Sequence, residues 1–393
     1  MVKSNKKLKN IYLDYASSAL SQSANPGAIH ELGVKEKNKL ENARAKIAEI
    51  LGTRRDEIIF TSGATESNNL AILGLVQNFK KPHIVTTNIE HASVLEVYRY
   101  LEKTKQAEVT YVAVEKNGII NLKKLKKALK PNTILVSVMY ANNEIGTIQP
   151  IREIAKIIRY HNKNLTRLRH PLLAEERAGV RCLFHTDATQ AINYLPIQVE
   201  QLGVNLMSFN GAKIYGPKGV GVLYVKRNTP IRKIMFGGDQ EFGLRPGTEN
   251  VVLATALADA LEITEKIKEK ENKRLIQLRD YFITKISRVV LDIKFNGDLE
   301  NRLPNNINIT IAKIPSDLLV FELSARGIMA SSKSACKSSR AEGSYVIKAI
   351  RPESNPEIGG VRFSLGRRTT KRDIDYTVKS LSQILTKLKK WYD

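Results

Sequence analysis

What most constrains this chain is the alternation of short β-branched runs with amphipathic stretches over roughly its first 250 residues. Residues 58–61, 83–87, 109–114, 133–139, 183–187, 206–209 and 221–226 read as strands. Helical patterns such as 40–51, 67–76 and 122–129 lie between them. Strand–helix–strand repetition requires crossover connections, so the reading is an α/β fold on a mostly parallel sheet. After Gly247 the pattern changes to one long helical stretch, 251 to about 287, followed by strands near 291–295, 307–311 and 360–364 and helices near 316–325 and 371–389. The expected division is a large domain, 12–250, and a smaller C-terminal α+β domain, 251–393, on which the N-terminal segment 1–25 packs.

Composition narrows the function classes. The longest apolar run, 70–76, is far short of the roughly 18 residues that cross a bilayer, so no membrane span is expected. Lys3, Lys6, Lys7 and Lys9 are followed by no apolar core or small-residue cleavage site, which makes the cytosol the expected location. Two cysteines, Cys182 and Cys336, sit in no C-x-x-C or Cys/His spacing, so no metal site is expected. The net charge is +24, but the lysines spread along helix-like segments, which reads as a solvated basic surface rather than a nucleic-acid stripe.

Nucleotide motifs fail: 211–218 starts like a Walker A loop but has Pro217 where its lysine belongs, and no G-x-G-x-x-G follows a strand. Three other segments carry chemistry. Residues 60–68 run from a strand through the small-residue turn Ser62-Gly63-Ala64-Thr65 into a helix, which makes an anion site from free N–H groups and the helix dipole. Asp187 ends a strand, where ligands of open α/β sheets sit and where a carboxylate can hold a cationic ring nitrogen. Lys213 follows the next strand in a Gly-rich turn and is placed to form a Schiff base. A phosphate site, an acid and a lysine in this order fit pyridoxal phosphate.

The chain resembles the class V aminotransferase-like family, and within it the cysteine desulfurases of the iron–sulfur cluster type. The resemblance runs through Tyr12-Leu13-Asp14-Tyr15, Asn25-Pro26, residues 62–68, Glu90-His91, Asn142-Asn143-Glu144-Ile145-Gly146 and the Asp187 and Lys213 segments. It continues through Arg245-Pro246-Gly247-Thr248-Glu249-Asn250 and Ser334-Ala335-Cys336 to 362–367. It implies a pyridoxal-phosphate-transferase fold (fold type I) with a seven-stranded-type sheet. It implies that Lys213 holds the cofactor, Asp187 pairs with the pyridinium nitrogen, His91 stacks on the ring and moves protons, and Gln190 and Asn143 lie near the ring hydroxyl. Ala64, Thr65 and Asn210 would serve the phosphate, with Thr248 completing that site in a neighbouring subunit of a homodimer. Arg362, with Asn143, would take the substrate carboxylate, and Cys336 would be the nucleophile.

The implied reaction converts L-cysteine to L-alanine, leaving a persulfide on Cys336 for an iron–sulfur scaffold or a tRNA-thiolation protein. Two alternatives stand beside it: a selenocysteine-lyase-like enzyme, and a weakened binding subunit of a sulfur-transfer complex. The chain departs from the family pattern at Asn210 and Ala212, where Ser and His are usual, and at Asp239 and Lys333, where glycine is favoured. The stretch 14–25 is shorter than usual, and 161–180 is longer and rich in Arg and His.

Overall fold

The computed structural model describes Asp14, Ala16 and residues 24–168, 181–290, 293–332, 343–353 and 358–392. The first helix, α1 (Glu31–Leu51), starts at a cap in which His30 Nδ1 accepts the Gly33 N–H. It stops at Gly52, whose φ of 65° is the left-handed value that favours glycine. Its buried face, Leu40, Ala43, Ile47 and Leu51, follows helical spacing, and it packs on the 39-residue helix described below.

Seven strands form one sheet: β1 (Ile58–Thr61), β2 (His83–Thr87), β3 (Glu108–Val112), β4 (Thr133–Ser137), β5 (Leu183–Asp187), β6 (Leu206–Asn210) and β7 (Gly221–Val225). Their order is β1-β7-β6-β5-β4-β2-β3. β7 runs antiparallel to both neighbours and all other pairings are parallel. The expected mostly parallel seven-stranded sheet is therefore present, and five strands match their expected bounds within a residue. Residue 114 lies outside its strand, in an isolated bridge to Ile120. Strands β2 and β4 are buried along their whole length, and β6 all but its last residue, as a sheet covered on both faces requires. The covering helices include α2 (Ala64–Val76), α3 (Ala92–Lys103), α4 (Leu122–Ala128) and α5 (Ile151–Leu168).

After a single turn, α6 (Val199–Leu202), and the strands β6 and β7, the helix α7 (Val251–Val289) leaves the first sheet. Asn250 caps it by accepting the Leu253 N–H. A second, antiparallel sheet follows in the order β10 (Val361–Ser364), β9 (Asn306–Ile311), β8 (Ile293–Phe295), with α8 (Ser316–Ser324), α9 (Tyr345–Ile350) and α10 (Lys371–Tyr392). The Phe282 ring of α7 meets Phe363 of β10 edge-on at 5.1 Å, and buried residues of both sheets join in one hydrophobic core. The first part of the long 161–180 stretch is helix, since α5 runs to Leu168; residues 169–180 lie outside the described residues.

Candidate active site

Strand register gathers the expected site residues at one edge of the large sheet. Thr61 and Asn210 both stand opposite Gly221, and Asp187 stands opposite Ser208, so the carboxyl ends of β1, β6 and β5 share one rim. The Tyr140 N–H donates to the Asp187 carbonyl at 2.9 Å, and Thr86 aligns with Ser137. These pairings carry the loops with Asn143 and His91 to the same rim. This is the edge at which open α/β sheets bind ligands.

At the start of α2, Gly63 occupies the cap position with no side-chain hydrogen bond to the helix. The first-turn N–H groups at Ala64 and Thr65 are thus uncapped by side chains, and a β-carbon on Gly63 would meet only open space. Beneath it, β7 begins at Gly221, where a β-carbon would lie 2.6 Å from the Gly63 backbone. Only glycine permits that approach. Glu66 holds the turn by accepting the Ser62 N–H at 2.7 Å and the Arg245 Nε at 3.0 Å, which ties α2 to the segment bearing the exposed Thr248.

Asp187 is buried and accepts from Asn68 Nδ2 at 2.8 Å and from the Thr189 N–H at 2.9 Å. Gln190 is half-buried in the turn that follows. Lys213 is exposed on a short 3₁₀ turn, and Asn210 Oδ1 accepts the Lys213 N–H at 3.2 Å. Asn210 thereby shapes the lysine's turn, a role that residue type alone did not indicate. Ala212 faces outward beside it.

His91 caps α3, its Nδ1 accepting from the Ser93 N–H at 3.2 Å and meeting Ser93 Oγ at 2.8 Å. Behind it, the Glu90 carboxyl is wholly buried, receives Thr87 Oγ1 at 2.6 Å and the Met139 N–H at 3.0 Å, and is pushed up to about 8 by burial. His185, two residues before Asp187, lies between Ser137 Oγ and Ser208 Oγ and is pushed down to about 4 by burial, so it is a neutral structural imidazole.

Arg362 on β10 reaches across from the second sheet, its Nη1 donating to the Asn143 carbonyl at 2.9 Å. Burial draws its guanidinium down and nearby Glu144 partly offsets this. Arg362 Nε and Asn143 Oδ1 are buried without a hydrogen-bond partner, and so is Thr189 Oγ1. Buried polar groups are normally satisfied, so an unpaired donor and acceptor converging at the ligand-binding rim fit a site that takes a polar ligand. The backbone of Ser331 pairs with Arg362, and Ser344 Oγ donates to Glu144 Oε2 at 2.5 Å. Cys336 lies between them, outside the described residues. Cys182 is buried in the core and pushed up to about 12 by burial, which fits its expected structural role.

The residues present suit pyridoxal phosphate. They offer uncapped N–H groups for a phosphate, a buried carboxylate for a ring nitrogen, a lysine one strand away, and unsatisfied buried donors and acceptors. Among the described residues no group of His, Cys, Asp and Glu could hold a metal ion, and no helix is long and apolar enough to cross a membrane.

Sequence reasoning passed over Ser93 and gave no role to Asn68 or Glu90 beyond their places in motifs, although Asn68 and Ser93 join the Asp187 and His91 segments. Each has at least one partner distant in sequence, Asp187 and Ser93 for Asn68, Asn68 for Ser93 and Met139 for Glu90, which no local pattern marks.

Comparison with known proteins agrees with this geometry. A family model for aminotransferase class-V matches residues 5–167 and 171–377. The cysteine desulfurase IscS of Dictyoglomus turgidum is 40% identical over 97% of this chain and 96% of its own length. A human cysteine desulfurase is 39% identical over 92% of this chain and 75% of its own. The solved structure of a NifS-like protein superposes with a TM-score of 0.82 at 35% identity, covering 93% of this chain and 92% of that one. The chain belongs to the cysteine desulfurases of the aminotransferase class-V family.

Proposed function

We propose that this chain is a pyridoxal-phosphate-dependent enzyme that removes sulfur from L-cysteine, releases L-alanine and passes the sulfur on as a persulfide carried by Cys336. The observation that carries the reading is the paired vacancy of hydrogen-bonding capacity at Arg362 Nε and Asn143 Oδ1, beside the rim that holds Asp187, His91 and Lys213. A guanidinium with an unspent donor fits the carboxylate of an amino acid.

Ala64 and Thr65 would hold the phosphate through their N–H groups, Asp187 would keep the ring nitrogen protonated, His91 would cover the ring, and Asn143 and Gln190 would serve its hydroxyl. Asn210 sets the Lys213 turn. When bound, the cofactor supplies an electron sink for charge developing at the substrate Cα. Arg362 orients the substrate carboxylate, and the Lys213 amine takes the Cα proton. Cys336 thiolate attacks the substrate sulfur, so an S–S bond forms and the Cβ–S bond breaks. The electron pair of the broken bond stays with the substrate carbons: Cβ takes a proton to become the methyl, and Cα takes a proton back from Lys213 to give alanine. The sulfur leaves with Cys336, whose Lys337 and Arg340 neighbours favour thiolate.

Thr248 is exposed on the segment tied to α2 by Arg245, which suits completion of a neighbouring copy's phosphate site in a homodimer. The acceptor is an iron–sulfur scaffold or tRNA-thiolation protein, and the site of action is the cytosol. No specific observation favours a selenocysteine-lyase-like enzyme or a binding subunit.

The test is an absorbance spectrum of the protein supplied with pyridoxal phosphate, followed by L-cysteine and measurement of alanine. A visible band that changes with cysteine and yields alanine is expected. A protein that stays colourless, or binds the cofactor and forms no alanine, overturns the reading.

A further inference from the structure

We infer that Asn68 and Ser93 form a one-way hydrogen-bond relay that fixes His91 in its Nε2–H form and ties that form to the Asp187 carboxylate. The inference rests on the proposed cofactor roles of Asp187 and His91, but the relay is read from this chain's own donors and acceptors.

The direction of every link follows from chemistry. Asn68 is fully buried, and its side-chain nitrogen lies 2.8 Å from Asp187 Oδ2 and 2.9 Å from Ser93 Oγ. Turning the amide over would set its carbonyl oxygen against the Asp187 carboxylate, two acceptors face to face, so the NH2 points there. Both amide hydrogens are then used. Ser93 Oγ receives one of them, which leaves its own hydrogen for His91 Nδ1 at 2.8 Å. The Ser93 backbone N–H, which can only donate, points at the same nitrogen from 3.2 Å. His91 Nδ1 therefore faces two donors that share its one lone pair and holds no proton in the neutral ring, which places the proton on Nε2.

The consequence is positional. The imidazole orientation is set by two donors from a single residue, and that residue is held by the same amide that orients Asp187. The group that covers the ring and the group that faces its nitrogen therefore share one support. Ser93 and Asn68 are positioning residues, acting through His91 and Asp187 without touching substrate.

The experiment uses full-length protein labelled with 15N-histidine, with and without bound pyridoxal phosphate. Long-range proton–nitrogen correlation reads the protonation of each ring nitrogen, and a His91→Gln sample assigns the signal. Wild type is expected to show His91 protonated at Nε2. Ser93→Ala keeps the backbone donor and loses the hydroxyl, so the His91 signal is expected to move toward a mixture of tautomers. Its kcat is expected to fall about tenfold, the rate equivalent of one hydrogen bond, with KM little changed. Ser93→Thr restores a hydroxyl and is expected to recover both. Wild-type His91 protonated at Nδ1, or a Ser93→Ala protein with unchanged signal and kcat, overturns the relay. If Ser93→Ala does not fold, the wild-type tautomer and the Ser93→Thr variant still decide. A wild type with the Nε2–H signature that makes no alanine overturns the desulfurase reading instead and leaves the relay standing.

Discussion

Arg362 and Asn143 are 219 residues apart in the chain and are held together by a 2.9 Å hydrogen bond from guanidinium Nη1 to the backbone carbonyl. This contact brings the second sheet to the rim of the first. It also leaves Arg362 Nε and Asn143 Oδ1 buried and unspent. Arg362→Lys keeps the charge but loses the planar fork, so KM for L-cysteine is expected to rise about 10- to 100-fold while the cofactor's absorbance stays unchanged. Steady-state kinetics with a spectrum of each variant checks this.

The two cysteines should separate cleanly by reactivity. Cys182 is buried and its thiol is pushed up to about 12, so it is a poor nucleophile at neutral pH. A thiol reagent applied to native protein at pH 8 is expected to label Cys336 and spare Cys182, as read by peptide mass. Cys182→Ala is expected to keep turnover, and Cys336→Ala to lose persulfide formation.

The buried pair of Arg44 and Glu241 is a structural dependency outside the rim. Two hydrogen bonds of 2.7 Å join them, Glu241 also accepts the Phe60 N–H, and the guanidinium lies 5.0 and 5.1 Å from the Phe60 and Phe242 ring centres. Removing one partner strands a charge, so Arg44→Leu is expected to destabilise the fold by roughly 3–5 kcal/mol. Arg44→Leu with Glu241→Gln is expected to cost less than the sum of the single changes. Urea denaturation of the four proteins measures the coupling.

Glu90 gives the stability a pH dependence with a definite sign. Its carboxyl titrates near 8 when folded, against an ordinary 4.5, so between those values the folded state holds a proton that the unfolded state has lost. Stability from this group is present below pH 4.5 and is lost as pH rises through 8, at about 1.4 kcal/mol per pH unit in between. His185, pushed down to about 4 from 6.5, acts oppositely: its stability is present above 6.5 and lost as pH falls through 4. The two oppose each other from 4.5 to 6.5 and Glu90 acts without that opposition from 6.5 to 8. Denaturant midpoints across this upper window are expected to fall for wild type and to flatten for Glu90→Gln.

The strand–helix order of this fold and the bounds of five strands of the large sheet were legible in the sequence because their causes are local. Short β-branched runs matched β1, β2 and β5 to the residue, and helical spacing placed the start of α7 and both bounds of α4 within a residue. Asp187 and Lys213 could be singled out because each ends or follows a strand, where the fold itself places ligands. Tertiary structure alone decided what supports them. Asn68 reaches Asp187 across 119 residues and Ser93 across 25, and Arg44 meets Glu241 across 197. A side-chain hydrogen bond depends on where two backbones are brought by the packing of everything between them, and no local spacing encodes that. The roles of Asn210 as the cap of the Lys213 turn and of His91 as a helix cap with a fixed tautomer follow from the same folded geometry.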